Sequence, residues 1–243
     1  MRRLAFSKRC AKEIYRDPIN LIFGVGFPII LLLLLSSMQA NIPVELFKIE
    51  SLTPGMTVFG LSFITLFSAT LISKDRESAF LQRLYSSPLK TTDFIFGYML
   101  PLFVMSLLQT LCCYLFAVLL GLKLSVNFIY AIIGIIPVAV FNISLGILFG
   151  SILGVKQVSG ICGALLTNLT AWLSGVWFDL SLLGKGFERV AHLLPFVHAV
   201  KLEKALFFGD YKTAVAHLIP VLTYSILITV AAVFCFIKKL KKL

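Results

Sequence analysis

Six long apolar runs constrain what this chain can fold into more than any other feature. A helix that crosses a bilayer needs about 20 mainly apolar residues, whereas a barrel strand needs only about 9–11. The 243-residue chain is 59% hydrophobic and 14% charged, against roughly 45–50% and about 25% in soluble domains. We therefore predict an all-α polytopic membrane protein in which residues 1–243 form a single domain. The six predicted spans are Ile19–Ala40, Thr53–Ile72, Phe94–Leu120, Phe128–Leu153, Gly160–Trp177 and Ala214–Ile237.

Six spans place both termini on the same side of the membrane, and the basic residues predict which side this is. That side holds 15 of the 22 Lys and Arg residues, and the net charges of the two sides are +10 and +1. An excess of basic residues in short loops marks the cytoplasmic side. Both termini are therefore predicted to be cytoplasmic. The protein itself is predicted to lie in the plasma membrane. The basic excess would attract anionic lipid, and nucleic-acid binding is not expected.

Residues 1–18 form an amphipathic segment before the first span. On a helical wheel, most charged residues of RRLAFSKRCAKEIYRD fall in one arc and most apolar residues fall in the opposite arc. This pattern is typical of a helix that lies in the membrane interface. Pro18 would end the helix before the first span. The alternative is a basic tail that only sets the topology.

Small and polar residues form stripes on three of the predicted spans. Small residues let membrane helices approach closely, and hydroxyl or amide groups can hydrogen-bond between helices. The same polar groups could instead line a translocation path, and the sequence leaves both interpretations open. Close helix packing is predicted at Gly146, Gly150, Gly154, Gly160 and Gly163. The polar residues predicted for the path or for packing are Ser62, Thr65, Ser68, Asn142, Thr167, Asn168, Thr170 and Ser174.

Ionisable residues are predicted to stay outside the membrane core. No Asp, Glu, Lys or Arg lies deep within a predicted span, and Glu203 falls in the region between the fifth span and the sixth. Ion-coupled transporters and intramembrane enzymes usually need such groups, so this distribution argues against both classes. No metal site is predicted, because the His and Cys residues are not spaced as ligands. The phosphate-binding pattern G-x-x-x-x-G-K-[ST] is also absent, so uphill transport would require ATP hydrolysis by another subunit.

The loop between the second and third predicted spans, residues 73–92, contains the amphipathic stretch RESAFLQRLYSSP. Its bulky apolar residues recur at i, i+1, i+4 and i+5, and charged residues border them. An apolar anchor with a polar rim is the usual anatomy of a protein–protein contact. The alternative is a loop that lies on the lipid surface. The residues predicted to contact another subunit are Arg76, Glu77, Phe80, Leu81, Arg83, Leu84, Tyr85, Ser87 and Pro88.

This loop resembles the corresponding loop of the ABC type-2 permease family, the membrane subunits of ABC exporters. That family's pattern is Arg-Glu-x-Gly-Thr-Leu-x-x-Leu, then Ser-Pro, then a Gly that starts the third span. The matching residues are Arg76, Glu77, Leu81, Leu84, Ser87, Pro88 and Gly97, with Ala79-Phe80 in place of Gly-Thr.

Three further stretches extend the resemblance over nearly the whole chain. The basic amphipathic start followed by RDP at Arg16–Pro18 resembles the family's elbow helix, and LSGVWFDLSLL from Leu173 resembles the segment that ends its fifth span. LLPFVHAVKLEKALFFGD resembles the family's NPxTHxVExxR stretch, with Leu194 in place of the Asn. The four stretches occur in the order that the family shows.

The resemblance implies a six-helix permease subunit of an ATP-driven exporter and not an enzyme. Residues 1–18 would form its elbow helix, residues 73–92 would carry a coupling helix that docks on an ATPase, and residues 179–212 would form a re-entrant extracellular segment. The complex would contain two ATPase subunits, which bind ATP and Mg²⁺, and two permeases, either two copies of this chain or one copy with a homologous permease. No cofactor is expected on this chain. The expected substrate is an amphipathic drug or an antimicrobial peptide. The alternatives are a lipid-linked glycan or lipid exporter of the same family, and a secondary transporter.

Overall fold

The computed structural model describes residues 2–43, 47–78, 91–123 and 125–240, and most of them are helical. These residues include no β-strand, which confirms the all-α prediction for the described chain. Two π-helical segments, Ile22–Gly26 and Ser159–Leu166, join α2 to α3 and α7 to α8, and a 3₁₀ turn occupies Leu180–Leu183. The helices are α1 (Arg2–Tyr15), α2 (Pro18–Leu21), α3 (Phe27–Gln39), α4 (Ile49–Glu77), α5 (Thr91–Leu119), α6 (Asn127–Ile152), α7 (Val155–Val158), α8 (Thr167–Leu173), α9 (Lys185–His192), α10 (Pro195–Phe208) and α11 (Tyr211–Leu240).

Five helices of the described chain are long and apolar enough to cross a membrane. They cover Ile22–Gln39, Ile49–Glu77, Thr92–Leu119, Asn127–Ile152 and Tyr211–Lys239. The predicted fifth span coincides instead with the run from α7 through the π-helical segment to α8, which ends at Leu173. A turn follows, in which Gly175 adopts a positive φ of 71°. The count of six spans therefore remains a prediction.

The second span begins earlier than the sequence predicts. Thr53 followed by Pro54 is typical of a helix start, but α4 begins at Ile49 and contains Pro54 in its second turn. The hydroxyl of Thr53 donates a hydrogen bond to the Ile49 carbonyl at 2.6 Å. Pro54 removes only the bond that its own N–H would have made, and membrane helices tolerate such a loss. At the other end, Lys74 and Arg76 lie in the last turn, where cations favour the helix dipole.

Helix α4 forms the centre of the bundle. It packs against α3, α5, α6 and α10. In its most apolar stretch 89% of the residues are buried, compared with 17% in that of α11. Helix α11 lies on the outside, against α6 and α10. Aromatic residues fill the interior next to α4, and Phe94, Tyr98 and Tyr114 on α5 are among the largest fully buried side chains.

Helix α1 packs across one end of this bundle, which we call the α1 end. The ring of Phe6 meets those of Phe94 and Tyr98 on α5, with centroid distances of 5.5 and 5.0 Å. Leu4 and Tyr15, which the sequence places on the same apolar face, are exposed to 59% and 79%. The protein thus covers only part of that face. The α1 end includes the C-terminal end of α4; the opposite end, where α4 begins and α9 and α10 lie, is called the α9 end.

Candidate functional site

Polar residues that the sequence assigns to a path or to packing join α4 to α6. The hydroxyl of Thr65 lies 3.0 Å from both the backbone oxygen and the Oδ1 of Asn142, and Ser68 donates to the Ile143 carbonyl at 3.0 Å. Ser62 donates within its own helix, to Phe59 at 2.7 Å. Ser62, Thr65 and Ser68 have no exposed surface. Thr65 and Ser68 thus tie α4 to α6, and a role of these residues in a translocation path remains a prediction.

The glycines of α6 let it lie directly against α4. A Cβ atom added at Gly146 would be 2.4 Å from the Ser68 Cβ and 2.6 Å from the Thr65 carbonyl oxygen. A Cβ atom added at Gly150 would be 2.6 Å from the carbonyl oxygen of Ala69. Real Cβ atoms do not approach other heavy atoms this closely. Only glycine therefore permits this seam, which is the small-residue packing expected between membrane helices.

The packing becomes looser along the remaining predicted glycines. A Cβ atom at Gly154 would lie 2.9 Å from Glu77 Oε1, and one at Gly163 would lie 3.4 Å from Leu66 Cδ2, which is ordinary contact. Nothing lies within 4 Å of a Cβ atom at Gly160. Gly160 is exposed on the outside of the bundle, so it contacts no helix that the structure describes, and close packing at this residue remains a prediction.

The polar residues of the stripe on the α7–α8 run differ in whether they have a hydrogen-bond partner. Thr167, Asn168 and Thr170 each donate to a carbonyl of their own helical run, at 2.7–3.0 Å. The two threonines are buried and Asn168 is exposed. Ser174 is 1% exposed, and its hydroxyl has no hydrogen-bond partner among the described residues. Ser174 is therefore the member of the stripe whose hydroxyl is buried without a partner among the described residues.

Two of the residues predicted for coupling attach the end of α4 to the end of α6. Arg76 donates to the Ser151 carbonyl at 2.7 Å and also to the Leu153 carbonyl. Glu77 Oε1 accepts from the backbone N–H of Val155 at 2.9 Å. These contacts hold the two helix ends together where the predicted coupling loop begins. The other predicted coupling residues lie outside the described residues: Phe80, Leu81, Arg83, Leu84, Tyr85, Ser87 and Pro88.

A buried ion pair fastens α1 to the bundle. Asp75, near the end of α4, has a side chain that is 3% exposed and accepts two hydrogen bonds from the guanidinium of Arg9, one of them at 2.6 Å. Its Oδ2 also accepts from the hydroxyl of Tyr98 at 2.7 Å. A second arginine of α1, Arg3, pairs with the buried Asp93 of α5. The paired and hydrogen-bonded geometry is what allows these carboxylates to be buried.

The prediction that Glu203 lies in a loop or at a boundary is wrong. Glu203 lies on α10 with no exposed surface, and neither carboxyl oxygen has a hydrogen-bond partner among the described residues. Burial raises its pKa well above the ordinary value, because a low-dielectric site disfavours the charged form. A hydropathy scan misses this residue because it treats a charge as a sign of a loop. The available signal is helical spacing, since Glu203 shares one face with Phe196, Val200 and Phe207, all of which are buried.

The three histidines of the chain meet at the α9 end. His198 Nε2 lies 2.9 Å from the carbonyl oxygen of His192, and because a carbonyl only accepts, Nε2 carries the hydrogen. Neutral His198 then accepts at Nδ1 from His217 Nδ1, also 2.9 Å away. Lys201 Nζ lies 3.2 Å from His192 Nε2; burial, Lys201 and His198 lower the pKa of His192. The described residues contain no cluster of three or more potential ligands that could hold a metal ion.

Comparison with known proteins places this helical architecture in a family. A sequence profile described as ABC-2 type transporter matches residues 3–208. The chain belongs to the ABC-2 type transporter family. The match covers the seam between α4 and α6, the Arg9–Asp75 pair and the segment that carries Glu203, and it confirms the resemblance that the four motifs indicate.

Two curated relatives of this ABC-2 chain have the same name. The protein named "Putative transport permease ycf38" in Cyanophora paradoxa is 30% identical over 153 residues, which are 58% of this chain and 53% of the relative. The protein of the same name in Porphyra purpurea is 30% identical over 155 residues, which are 60% of this chain and 53% of the relative. The matched part of the chain thus spans about half the length of these relatives. Together with the family match, these relatives support a transport permease subunit.

Proposed function

We propose that this chain is the transmembrane permease subunit of an ATP-driven ABC exporter. The observation that carries the proposal is the ABC-2 match over residues 3–208, on a chain whose described residues include five apolar helices of membrane-spanning length. In the proposed complex, two permeases form the path and two ATPase subunits bind ATP and Mg²⁺. The α7–α8 run provides the sixth span, α1 is the elbow helix, α9 and α10 form the re-entrant segment, and both termini lie in the cytoplasm.

The coupling step assigns separate roles to the two parts of residues 73–92. In the proposed mechanism, the apolar residues at positions 80–85 dock on the ATPase, and closure of the ATPases displaces this loop. The contacts of Arg76 and Glu77 with the end of α6 and with Val155 support the next step. Through these contacts, a push on the loop would move α4 and α6 together. Such a change of state requires contacts that differ between the two nucleotide states.

The second permease fits the exposed side of the α7–α8 run. Leu165, Leu169 and Trp172 are exposed there to 58%, 40% and 54%, and Gly160 has open space around it. A small residue on such a face allows close approach of another helix. We place the contact between the two permeases on this face. The expected substrate is an amphipathic drug or an antimicrobial peptide, and a lipid-linked glycan or lipid is the alternative within the family.

Co-purification with the candidate ATPase tests the proposal. Leu81→Asp/Leu84→Asp puts two charges into the proposed docking surface. The matched control is Leu182→Asp/Leu193→Asp, because both leucines are more than two-thirds exposed and lie at the α9 end. We expect the first variant to lose the ATPase while it remains folded by size-exclusion chromatography, and the control to retain it. If both variants retain the ATPase and its stimulated hydrolysis, docking lies elsewhere and the coupling proposal is wrong.

A secondary transporter is the second candidate, and one observation favours it. Glu203 is a buried carboxyl group without a hydrogen-bond partner in the described chain, and proton-coupled transporters use intramembrane groups of this kind. Vesicles that contain this chain without an ATPase, under an imposed pH gradient, separate the two candidates. Uptake of a fluorescent amphiphilic cation that Glu203→Gln abolishes would favour the secondary transporter. Uptake that requires the ATPase and ATP would favour the exporter.

A further inference from the structure

A cavity of about 370 Å³ opens at the α9 end and has no role in the coupling proposed above. It lies between the start of α4, the turn that follows α8, and helices α9 and α10. Its lining contains the two lysines of α10, Lys201 and Lys204, together with Ser174 and His192. Trp177 and Phe178 contribute aromatic surface to the same cavity. Positive, polar and aromatic groups therefore converge on one space.

Each of the two lysine ammonium groups has N–H donors that form no hydrogen bond with a described residue. Lys204 Nζ makes one long hydrogen bond, 3.5 Å to the Gly175 carbonyl, and Lys201 Nζ contacts His192 Nε2 at 3.2 Å. No described carboxylate forms an ion pair with either ammonium group. Burial and the neighbouring charge of Lys201 lower the pKa of Lys204, although Asp179 opposes this. A partly buried ammonium that lacks a close counterion is stabilised when an anion enters beside it.

Ser174 is a second and independent sign of a ligand. Its hydroxyl is buried and has no hydrogen-bond partner among the described residues, and the residue lines the cavity. Leaving a buried hydroxyl unpaired is unfavourable, and a ligand oxygen within hydrogen-bond distance would remove that cost. The lysines and Ser174 all donate, so they match the oxygens of a phosphate or a carboxylate.

Two carboxylates also line the cavity, and their environments leave the lysines available. Asp179 is exposed, and its Oδ1 already accepts from the Ser181 backbone N–H at 3.1 Å. Glu188 is 41% exposed, and its nearest basic atom is His192 Nε2 at 4.0 Å. Both are more accessible to water than Ser174, so water screens their charges more strongly. Asp179 nevertheless acts electrostatically on both lysines, so an anionic group at the Ser174–Lys204 side of the cavity would compete with it.

The apolar part of the lining indicates that the anionic group belongs to a molecule with an apolar portion. The ring of Trp177 lies against Phe59 on α4 with a centroid distance of 5.4 Å, and Leu52, Val197 and Val200 also line the space. These side chains offer apolar surface beside the donors. We propose that this cavity binds the phosphate or carboxylate headgroup of an anionic amphiphile, with Ser174, Lys201 and Lys204 holding its oxygens. This site does not depend on the proposed transport cycle, and its test needs no ATPase.

Tryptophan fluorescence gives a direct readout, because Trp172 and Trp177 are the two tryptophans of the chain. In a Trp172→Phe background the signal reports on Trp177 alone. The full chain in phosphatidylcholine nanodiscs is titrated with decyl phosphate, with inorganic phosphate and with uncharged decyl maltoside. We expect a saturable change of Trp177 emission with decyl phosphate, and at least tenfold weaker effects of the other two probes.

Substitutions then test the assigned donors. Lys204→Gln should weaken decyl phosphate binding about tenfold or more, since charged hydrogen bonds contribute about 1.5–3 kcal/mol. Ser174→Ala, which keeps the charges, should weaken it about two- to tenfold. The matched control is Lys212→Gln, an exposed lysine outside the cavity, which should bind as the parent does. Equal binding by Lys204→Gln and Lys212→Gln, equal affinity for inorganic phosphate, or a change of emission that never saturates would each overturn the proposal. Loss of ATPase binding by the Leu81→Asp/Leu84→Asp variant bears only on coupling, so the two proposals fail separately.

Discussion

Buried polar groups at the two ends of the helical bundle differ in whether they have hydrogen-bond partners. At the α1 end, the buried carboxylates Asp75 and Asp93 each accept hydrogen bonds from an arginine of α1. In the half of the bundle towards the α9 end, polar atoms of Gln109, Tyr114, Ser174 and Glu203 are buried without a partner among the described residues. The contrast indicates that the α1 end is a fixed attachment, while the α9 end retains polar groups that can bind a ligand or a proton.

The largest effect is expected when the attachment at the α1 end is broken. Asp75→Ala removes both hydrogen bonds to Arg9 and the acceptor for Tyr98, and leaves a partly buried cation without its main partner. We expect the free energy of unfolding to fall by about 3–5 kcal/mol, measured by circular dichroism during titration with sodium dodecyl sulfate in mixed micelles.

The matched control for Asp75→Ala uses the other carboxylate that contacts Arg9. Glu13→Ala breaks a pair of 2.7 Å at i,i+4 on the more exposed face of α1. Such pairs contribute about 0.3–0.5 kcal/mol. If the two variants lose the same stability, the Arg9–Asp75 pair is no stronger than a surface contact, and the comparison between the two ends fails.

A smaller effect is expected from filling the space between helices. Gly146→Ala, in the half of α6 towards the α1 end, would place a methyl group 2.6 Å from the Thr65 carbonyl oxygen. Because backbone atoms must then move, we expect a loss of about 1–3 kcal/mol in the same unfolding assay.

Gly55→Ala in the other half of the bundle sharpens this comparison. Its methyl group would meet the Val176 side chain at 3.3 Å, which a small shift of the side chain can relieve. We expect a loss below about 1 kcal/mol. Equal losses at both positions would contradict the idea that the helices fit more rigidly towards the α1 end.

The expected effect at Glu203 differs from these packing effects because its size depends on pH. Its folded-state pKa is raised by burial, so its contribution to stability is fully present below the unfolded-state value of about 4.3. That contribution is lost as the pH rises through the folded-state pKa, because folding must then hold a proton that the unfolded chain has released. We expect wild-type stability to fall between pH 5 and pH 8 more steeply than that of Glu203→Gln. The same slope for both proteins would show that Glu203 is not the group responsible.

Helical spacing and hydropathy predict much of this fold because the bilayer leaves few alternatives. A backbone in hydrocarbon must satisfy its own hydrogen bonds, so apolar runs of this length had to be helices, and the five long helices lie within a few residues of the predicted spans. The spacing of Gly146 and Gly150 likewise predicts the side on which α6 approaches another helix. The start of α4 is missed because Pro54 is compatible with both the first and the second turn in a helix of this length.

The candidate sites depend on contacts that no spacing in the sequence encodes. The sequence by itself determined the all-helical class, the amphipathic character of α1 and the motifs of the ABC-2 family. Only the tertiary structure decided that Asp75 pairs with Arg9, 66 residues away, that Gly160 faces outward, and that Ser174, Lys201 and Lys204 share one cavity. The physical reason is that the cost of a buried polar group depends on its partners, and these partners come from different helices that only packing brings together.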